Sequence, residues 1–162
     1  MNEVKHLADL HRRSGTTAVA LEGQAWHGPA LAQVLKGVTA ARAASRPIRS
    51  AHSIWEIVLH VEAWDRAVLG RLTGNPIQLS DEEDWPEVED RSPTAWKRAV
   101  ASMKATHSKL NRAIARLTLK RLDAGYGPGK RYKIFRLVHG VIHHELYHAG
   151  QIAILKKGRS RR

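Results

Sequence analysis

The sequence predicts an all-α fold, a four-helix bundle with a long crossover between its second and third helices. Three observations lead there. Apolar residues recur at helical spacing in long stretches, while the period-two alternation of strands is scarce. Ala, Leu, Arg and Lys, all good helix formers, are abundant. A single acidic connection of about sixteen residues interrupts the helical segments, longer than a hairpin needs.

The first helix is expected from Asn2 or Glu3 towards Leu21, with Val4, Leu7, Ala8 and His11 on one face. Ser14-Gly15-Thr16-Thr17 weakens its middle, since Gly and the stiff Thr side chain both disfavour helix. Trp26-His27-Gly28-Pro29 reads as a turn, and Pro29 suits the first position of a short helix through Leu35 or Gly37. Thr39 to Arg42 offers one more turn before Pro47. Ser53-Ile54-Trp55-Glu56 has the capping-box pattern and opens a second long helix to about Leu72, stopped by Thr73-Gly74-Asn75-Pro76. Its apolar face holds Ile54, Ile57, Val61, Trp64, Val68 and Leu72, with His60 at the edge. Pro76 to Arg91 is the crossover, containing Trp85; a stretch of this kind serves as a lid or as a solvated linker. Ser92-Pro93 caps and starts the third helix, which carries Trp96, Met103, His107, Leu110, Ile114 and Leu117. Leu119 to Lys130 reads as irregular. The fourth helix opens near Lys133 and runs to about Lys157, where Gly158 ends it. Residues 1–157 thus form one domain, and 158–162 a basic tail.

Composition narrows the function. The chain has 162 residues, enough for a substantial core, and no cysteine, so disulfides, a Cys nucleophile and Cys-bound zinc are excluded. Neither a signal peptide nor an apolar run long enough for a membrane span is visible, and a cytoplasmic location without membrane association is expected. The net charge is +12, yet seven of the fifteen acids lie between Asp81 and Asp90, where there is no Lys or Arg. The remainder of the chain therefore carries +19. Such a surface attracts anionic metabolites or nucleic acid. No helix-turn-helix, zinc-finger or RNP-type motif accompanies it, so nucleic-acid binding remains the alternative rather than the leading reading.

Chemistry concentrates in the fourth helix. At about 100° per residue, Leu137, Val141, His144, His148, Ile152 and Leu155 fall within a quarter turn of one another. Two imidazoles one turn apart on a core-facing stripe direct their nitrogens at a common point, as transition-metal ligands do. The other possibility is a pair of core histidines satisfied by hydrogen bonds. His60, facing them from the second helix, would complete a three-His site. His144-Glu145-Leu146-Tyr147-His148 also matches H-E-x-x-H, the zinc-protease motif. That reading fails because no His, Asp or Glu follows His148 to serve as third ligand, and the helical wheel puts Glu145 at the rim of the core.

Trp26-His27-Gly28-Pro29, Ser53-Ile54-Trp55-Glu56 with Leu59-His60, and His139-Gly140-Val141-Ile142 leading to His144-Glu145-Leu146-Tyr147-His148-Ala149-Gly150-Gln151-Ile152 together resemble the DinB/YfiT-like superfamily. The resemblance spans about Trp26 to Lys157. It implies an up-down-down-up bundle, commonly a homodimer, with a divalent metal held by three histidines that match His60, His144 and His148. It also implies a small-molecule substrate and a transferase or isomerase activity using a low-molecular-weight thiol. The expected reading is a metal-dependent thiol transferase; its alternative is a non-enzymatic, stress-related metal-binding bundle whose basic face engages nucleic acid. Imidazole ligands suit zinc, nickel or iron alike. His27, Glu56, Tyr147 and Gln151 are the catalytic or ligand-orienting candidates, although capping for Glu56, and packing or surface hydrogen bonds for the others, explain each of them better than catalysis does.

Overall fold

A computed structural model of the chain describes residues 28–158. The helix expected before Leu21, the Trp26-His27 pair and the tail beyond Gly158 lie outside the described residues. What is described is mostly helical. In chain order the elements are α1 (Leu31–Leu35), α2 (Ala40–Ala44), α3 (Ile54–Thr73), α4 (Asp81–Asp84), α5 (Pro93–Ala115), α6 (Leu119–Asp123), β1 (Gly125–Tyr126), a 3-10 turn (Pro128–Lys130), β2 (Tyr132–Lys133) and α7 (Ile134–Lys157).

The three long helices begin where their sequence signals predict. Ser53 caps α3, accepting from the Glu56 amide at 3.2 Å, while the Glu56 carboxylate accepts from the Ser53 amide at 2.7 Å. Ser92 caps α5, and Pro93 occupies its first turn. α3 ends at Gly74, whose φ of 90° is left-handed and closes the helix with an N–H to the Gly70 carbonyl.

α3 is the central helix, packed along α5 on one side and α7 on the other. Its residues divide between two apolar clusters. One gathers α1, α2, the first half of α3, Trp96 and Met103 of α5, and the end of α7 from Ala149 to Leu155. The other gathers Val68 and Leu72 of α3, Leu110 of α5, Leu122 of α6 and the start of α7 from Ile134 to Ile142. Along the chain, α3 and α5 pass from the first cluster to the second, whereas α7 passes back. Two parallel neighbours require a long crossover, which is the physical reason for the acidic connection. Between the clusters lies a polar layer of His60, Asp65, His107, Glu145 and His148, all buried.

The end of α7 is fastened to both α1 and α2. Arg42 donates to the carbonyls of Leu155 (3.3 Å), Lys156 (2.9 Å) and Gly158, satisfying the last turn of α7. Lys156 returns to the carbonyls of Val34 (3.0 Å) and Lys36 (2.6 Å). Trp96 donates its indole N–H to the Val38 carbonyl at 2.9 Å and packs on Trp55.

Three expectations change. α5 ends at Ala115, so Leu117 packs in the second cluster from beyond the helix. α1 begins after Ala30 rather than at Pro29, which stays outside the helix. The stretch after Leu119 is more ordered than its sequence suggests. Thr118 caps α6, and β1 and β2 pair antiparallel, Gly125 opposite Lys133 and Tyr126 opposite Tyr132. Gly127 supplies the left-handed turn between them with φ 77°.

Candidate metal centre

His60 from α3 and His144 and His148 from α7 meet across the polar layer. His144 Nε2 lies 2.9 Å from His60 Nε2 and 3.1 Å from His148 Nε2. Their neighbours fix the protons. His60 Nδ1 lies 2.8 Å from the Asp84 carbonyl oxygen, which can only accept, so Nδ1 carries the hydrogen and Nε2 a lone pair. His148 Nδ1 donates in the same way to Gln151 Oε1 at 2.7 Å. His144 Nε2 therefore faces two lone pairs, and a neutral ring offers at most one hydrogen there. Hydrogen bonding cannot satisfy this trio, but a shared cation can. With metal–nitrogen distances of about 2.0–2.1 Å, neighbouring ligand nitrogens lie about 2.9–3.4 Å apart, which the spacings from His144 to His60 and to His148 match.

Electrostatics keep the rings ready for a cation. Burial, reinforced by His148 and His60, pushes His144 down to about 3. Burial takes His148 to about 4 despite its bond to Gln151. It lowers His60 as well, against the opposing pull of Asp84. All three are neutral near pH 7, the state in which imidazole coordinates a metal.

The acidic crossover provides partners that sequence reading did not assign. Ser80 caps α4, with Glu83 reaching back to the Ser80 amide, and this single turn delivers Asp84 and Trp85 onto the histidines. Asp84 Oδ1 accepts from the Trp64 indole at 2.6 Å and lies 3.0 Å from His60 Nδ1. A carboxylate behind a histidine fixes its ring and raises its basicity as a ligand. Trp85 lies flat between His60 and His52, with ring centroids 3.8 and 3.6 Å away and planes 8° apart. The pattern Ser80-Asp81-Glu82-Glu83 is itself a capping box and marks this turn in the sequence.

The four catalytic or orienting candidates separate clearly. Gln151 touches the site through His148. Glu56 caps α3 and pairs with Arg46, and these bonds outweigh its burial and hold its carboxyl below the usual range. Tyr147 is 64% exposed, its ring 5.1 Å from that of His148. His27 lies outside the described residues.

Glu145 is not at the rim. It is fully buried, and with Asp65 of α3 and His107 of α5 it forms a second ionisable cluster inside the polar layer. His107 Nδ1 donates to Asp65 Oδ2 at 3.1 Å and stands 2.8 Å from Glu145 Oε1. Burial opposes a charged imidazole, but the bonds and charges of the two acids overcome it and push His107 up to about 10. Burial raises both Asp65 and Glu145. Asp65 Oδ1 and both Glu145 oxygens have no hydrogen-bond partner among the described residues, and the His107 ring faces both acids. His107 bridges the two acids, so the trio reads as an ion triad fastening α3, α5 and α7 beside the three histidines. The wheel of one helix misplaces Glu145 because it cannot include His107 on another. The signal available was an ionisable residue in each long helix flanked by apolar residues at i−4 and at i+3 or i+4: Val61 and Val68 around Asp65, Met103 and Leu110 around His107, Val141 and Ala149 around Glu145.

No helix among the described residues is long and apolar enough to cross a membrane. No curated protein and no solved structure matches the chain. The model of the DinB superfamily matches residues 25–152, most of the chain and every residue of the three-His group and of the Asp65–His107–Glu145 group, and the protein belongs to that superfamily.

Proposed function

We propose that the protein is a metal-dependent enzyme, built as an up-down-down-up four-helix bundle, that uses His60, His144 and His148 as metal ligands and transfers a low-molecular-weight thiol to a small electrophile. The observation that carries the metal assignment is the meeting of three imidazole nitrogens: the Nδ1 hydrogens of His60 and His148 are committed to Asp84 and Gln151, so two Nε2 lone pairs face His144 Nε2. The parallel course of α3 and α5 against α7 supports the bundle. Zinc, nickel and iron all suit three neutral imidazoles. When bound, such an ion supplies Lewis acidity, which lowers the pKa of a thiol or water placed at an open position.

The chain's own residues then have separable tasks. Asp84 and Gln151 hold the Nδ1 hydrogens of His60 and His148, so that both rings present Nε2 in a fixed orientation. Trp85 covers the His60 ring and keeps water from that face. The Asp65–His107–Glu145 triad holds the three helices in register, which keeps His60 opposite His144 and His148. The basic surface attracts an anionic thiol.

Membership of the superfamily supports the thiol reading, which is tested directly. Metal-reconstituted protein is screened with small thiols against electrophiles such as maleimides or epoxides. Metal-dependent thiol consumption that disappears in His144→Ala is expected. Turnover that is the same with and without metal, or unchanged in His144→Ala, would remove the assignment.

A further inference from the structure

We infer that the cleft beside His144 binds a small organic anion with an apolar body, held by Arg71 and Arg136. The inference deepens the proposed function, since it names the substrate class of the same centre, and it rests on that reading for its link to a reaction.

The cleft has a volume of about 300 Å³, the size of a small-molecule site. His144 forms part of its wall, so a molecule seated there lies against the three-His centre. A second cleft of about 370 Å³ reaches Gln151 and His52 but none of the three histidines. The wall beside His144 is apolar, with Trp64, Val68, Leu137 and Val141 contributing. Two guanidinium groups stand in this mainly apolar lining, which also holds His144 and Tyr126. Arg71 lies over the Trp64 ring at 5.6 Å, and Arg136 over the Tyr132 ring at 5.0 Å. Neither makes an ion pair with a carboxylate among the described residues, whereas Arg46, Arg98 and Lys133 each do. Aromatic faces hold both guanidiniums in place without neutralising them, which leaves their N–H forks available to a ligand's carboxylate, sulfonate or phosphate. An apolar wall with paired cations fits a molecule with one apolar portion and one anionic group.

Gly140 makes the cleft testable without touching either the cations or the histidines. It lies on the exposed side of α7 and lines the cleft, and a Cβ built on it meets no heavy atom within 4 Å. A larger side chain there enters the cleft rather than the core, and replacing Gly inside a helix favours the helix.

The experiment measures binding of 4-phenylbutyrate and of its neutral amide to the full chain by calorimetry, with zinc and after metal removal. The acid is expected to bind about tenfold more tightly than the amide, the size of one charge-assisted hydrogen bond. Arg71→Gln with Arg136→Gln should erase that preference and leave amide binding in place. Lys97→Gln with Lys109→Gln, an equal loss of charge at exposed sites of α5, should change neither. Gly140→Leu should abolish binding of both ligands. Equal affinity for acid and amide, no binding of either, or acid binding that survives Gly140→Leu would each overturn the inference. An equal loss in the lysine variant would overturn it too, by assigning the effect to net charge. A preference present with zinc and gone without it would assign the anion to the metal, and so would also overturn it. Discrimination that persists in protein unable to bind metal would sustain the anion site while removing the metal reading, so the two failures are separable.

Discussion

Replacing His107 with leucine removes the one cation that faces two fully buried carboxyl groups, with no donor among the described residues to take its place. Breaking a buried ion pair by deleting one partner costs about 3–5 kcal/mol. In a chain of this length each kcal/mol corresponds to about 2–4 °C in Tm, so the midpoint should fall by about 6–20 °C. The magnitude comes from the orphaned acids rather than from lost packing, because Leu fills most of the space of the imidazole. The triple variant Asp65→Asn, His107→Leu, Glu145→Gln should therefore be much less destabilised than His107→Leu alone. The comparison is made by urea unfolding of metal-free protein, with thermal unfolding alongside. The triad also has a definite pH signature. The His107 pKa is raised from 6.5 to about 10 in the folded protein, so its contribution is fully present below pH 6.5 and is lost as the pH climbs towards 10. Stability should decline over that window by at most about 1.4 kcal/mol per pH unit, and His107→Leu should lose that part of the decline. A loss below about 1 kcal/mol in His107→Leu, or a triple variant as unstable as the single one, would refute the ion-triad account.

The three histidines should behave in the opposite sense. Their folded pKa values are lowered, so metal-free protein loses stability as the pH falls below 6.5, by up to about 1.4 kcal/mol per pH unit for each ring, towards folded values of about 3 for His144 and about 4 for His148. His148→Ala measured by urea unfolding between pH 7 and pH 5 should show a shallower loss than the parent. Gln151→Leu deletes the acceptor that fixes the His148 tautomer and should weaken metal affinity about 10–100-fold, read by competition with a chromophoric chelator, while leaving the metal-free Tm within a few degrees. Trp85→Ala uncovers His60 and should weaken the metal comparably and speed its exchange, measured by chelator-driven release. Ser53→Ala removes the α3 cap and should cost about 1 kcal/mol without altering metal stoichiometry.

Much of the scaffold was legible because its signals are local. Ser53 with Glu56, and Ser92 with Pro93, start helices through bonds and steric preferences that span only a turn, and the three histidines follow from helical spacing together with the family motif. What escaped depends on contacts between distant segments. Asp84 and Trp85 acquire their roles only when the crossover folds over α3, and His107 reads as one more core position until Asp65 and Glu145 arrive from other helices. The β1–β2 pair is two residues long on each side and is fixed in part by the Ile134 amide donating to the Ala124 carbonyl at 2.9 Å, a bond no propensity predicts. His144 shows the same limit. Its wheel position puts it on the core stripe with His148, yet it is half-buried because the cleft carrying Arg71 and Arg136 opens beside it.

The central claim is that His60, His144 and His148 together hold one divalent metal ion. Elemental analysis of the untagged full chain, reconstituted in turn with zinc, nickel and iron and compared with His60→Ala and His148→Ala, tests it most directly. About one ion per chain is expected, lost in both variants while their folded helical content is retained. Failure of every metal to bind, or an ion retained at full stoichiometry in both variants, would contradict the account.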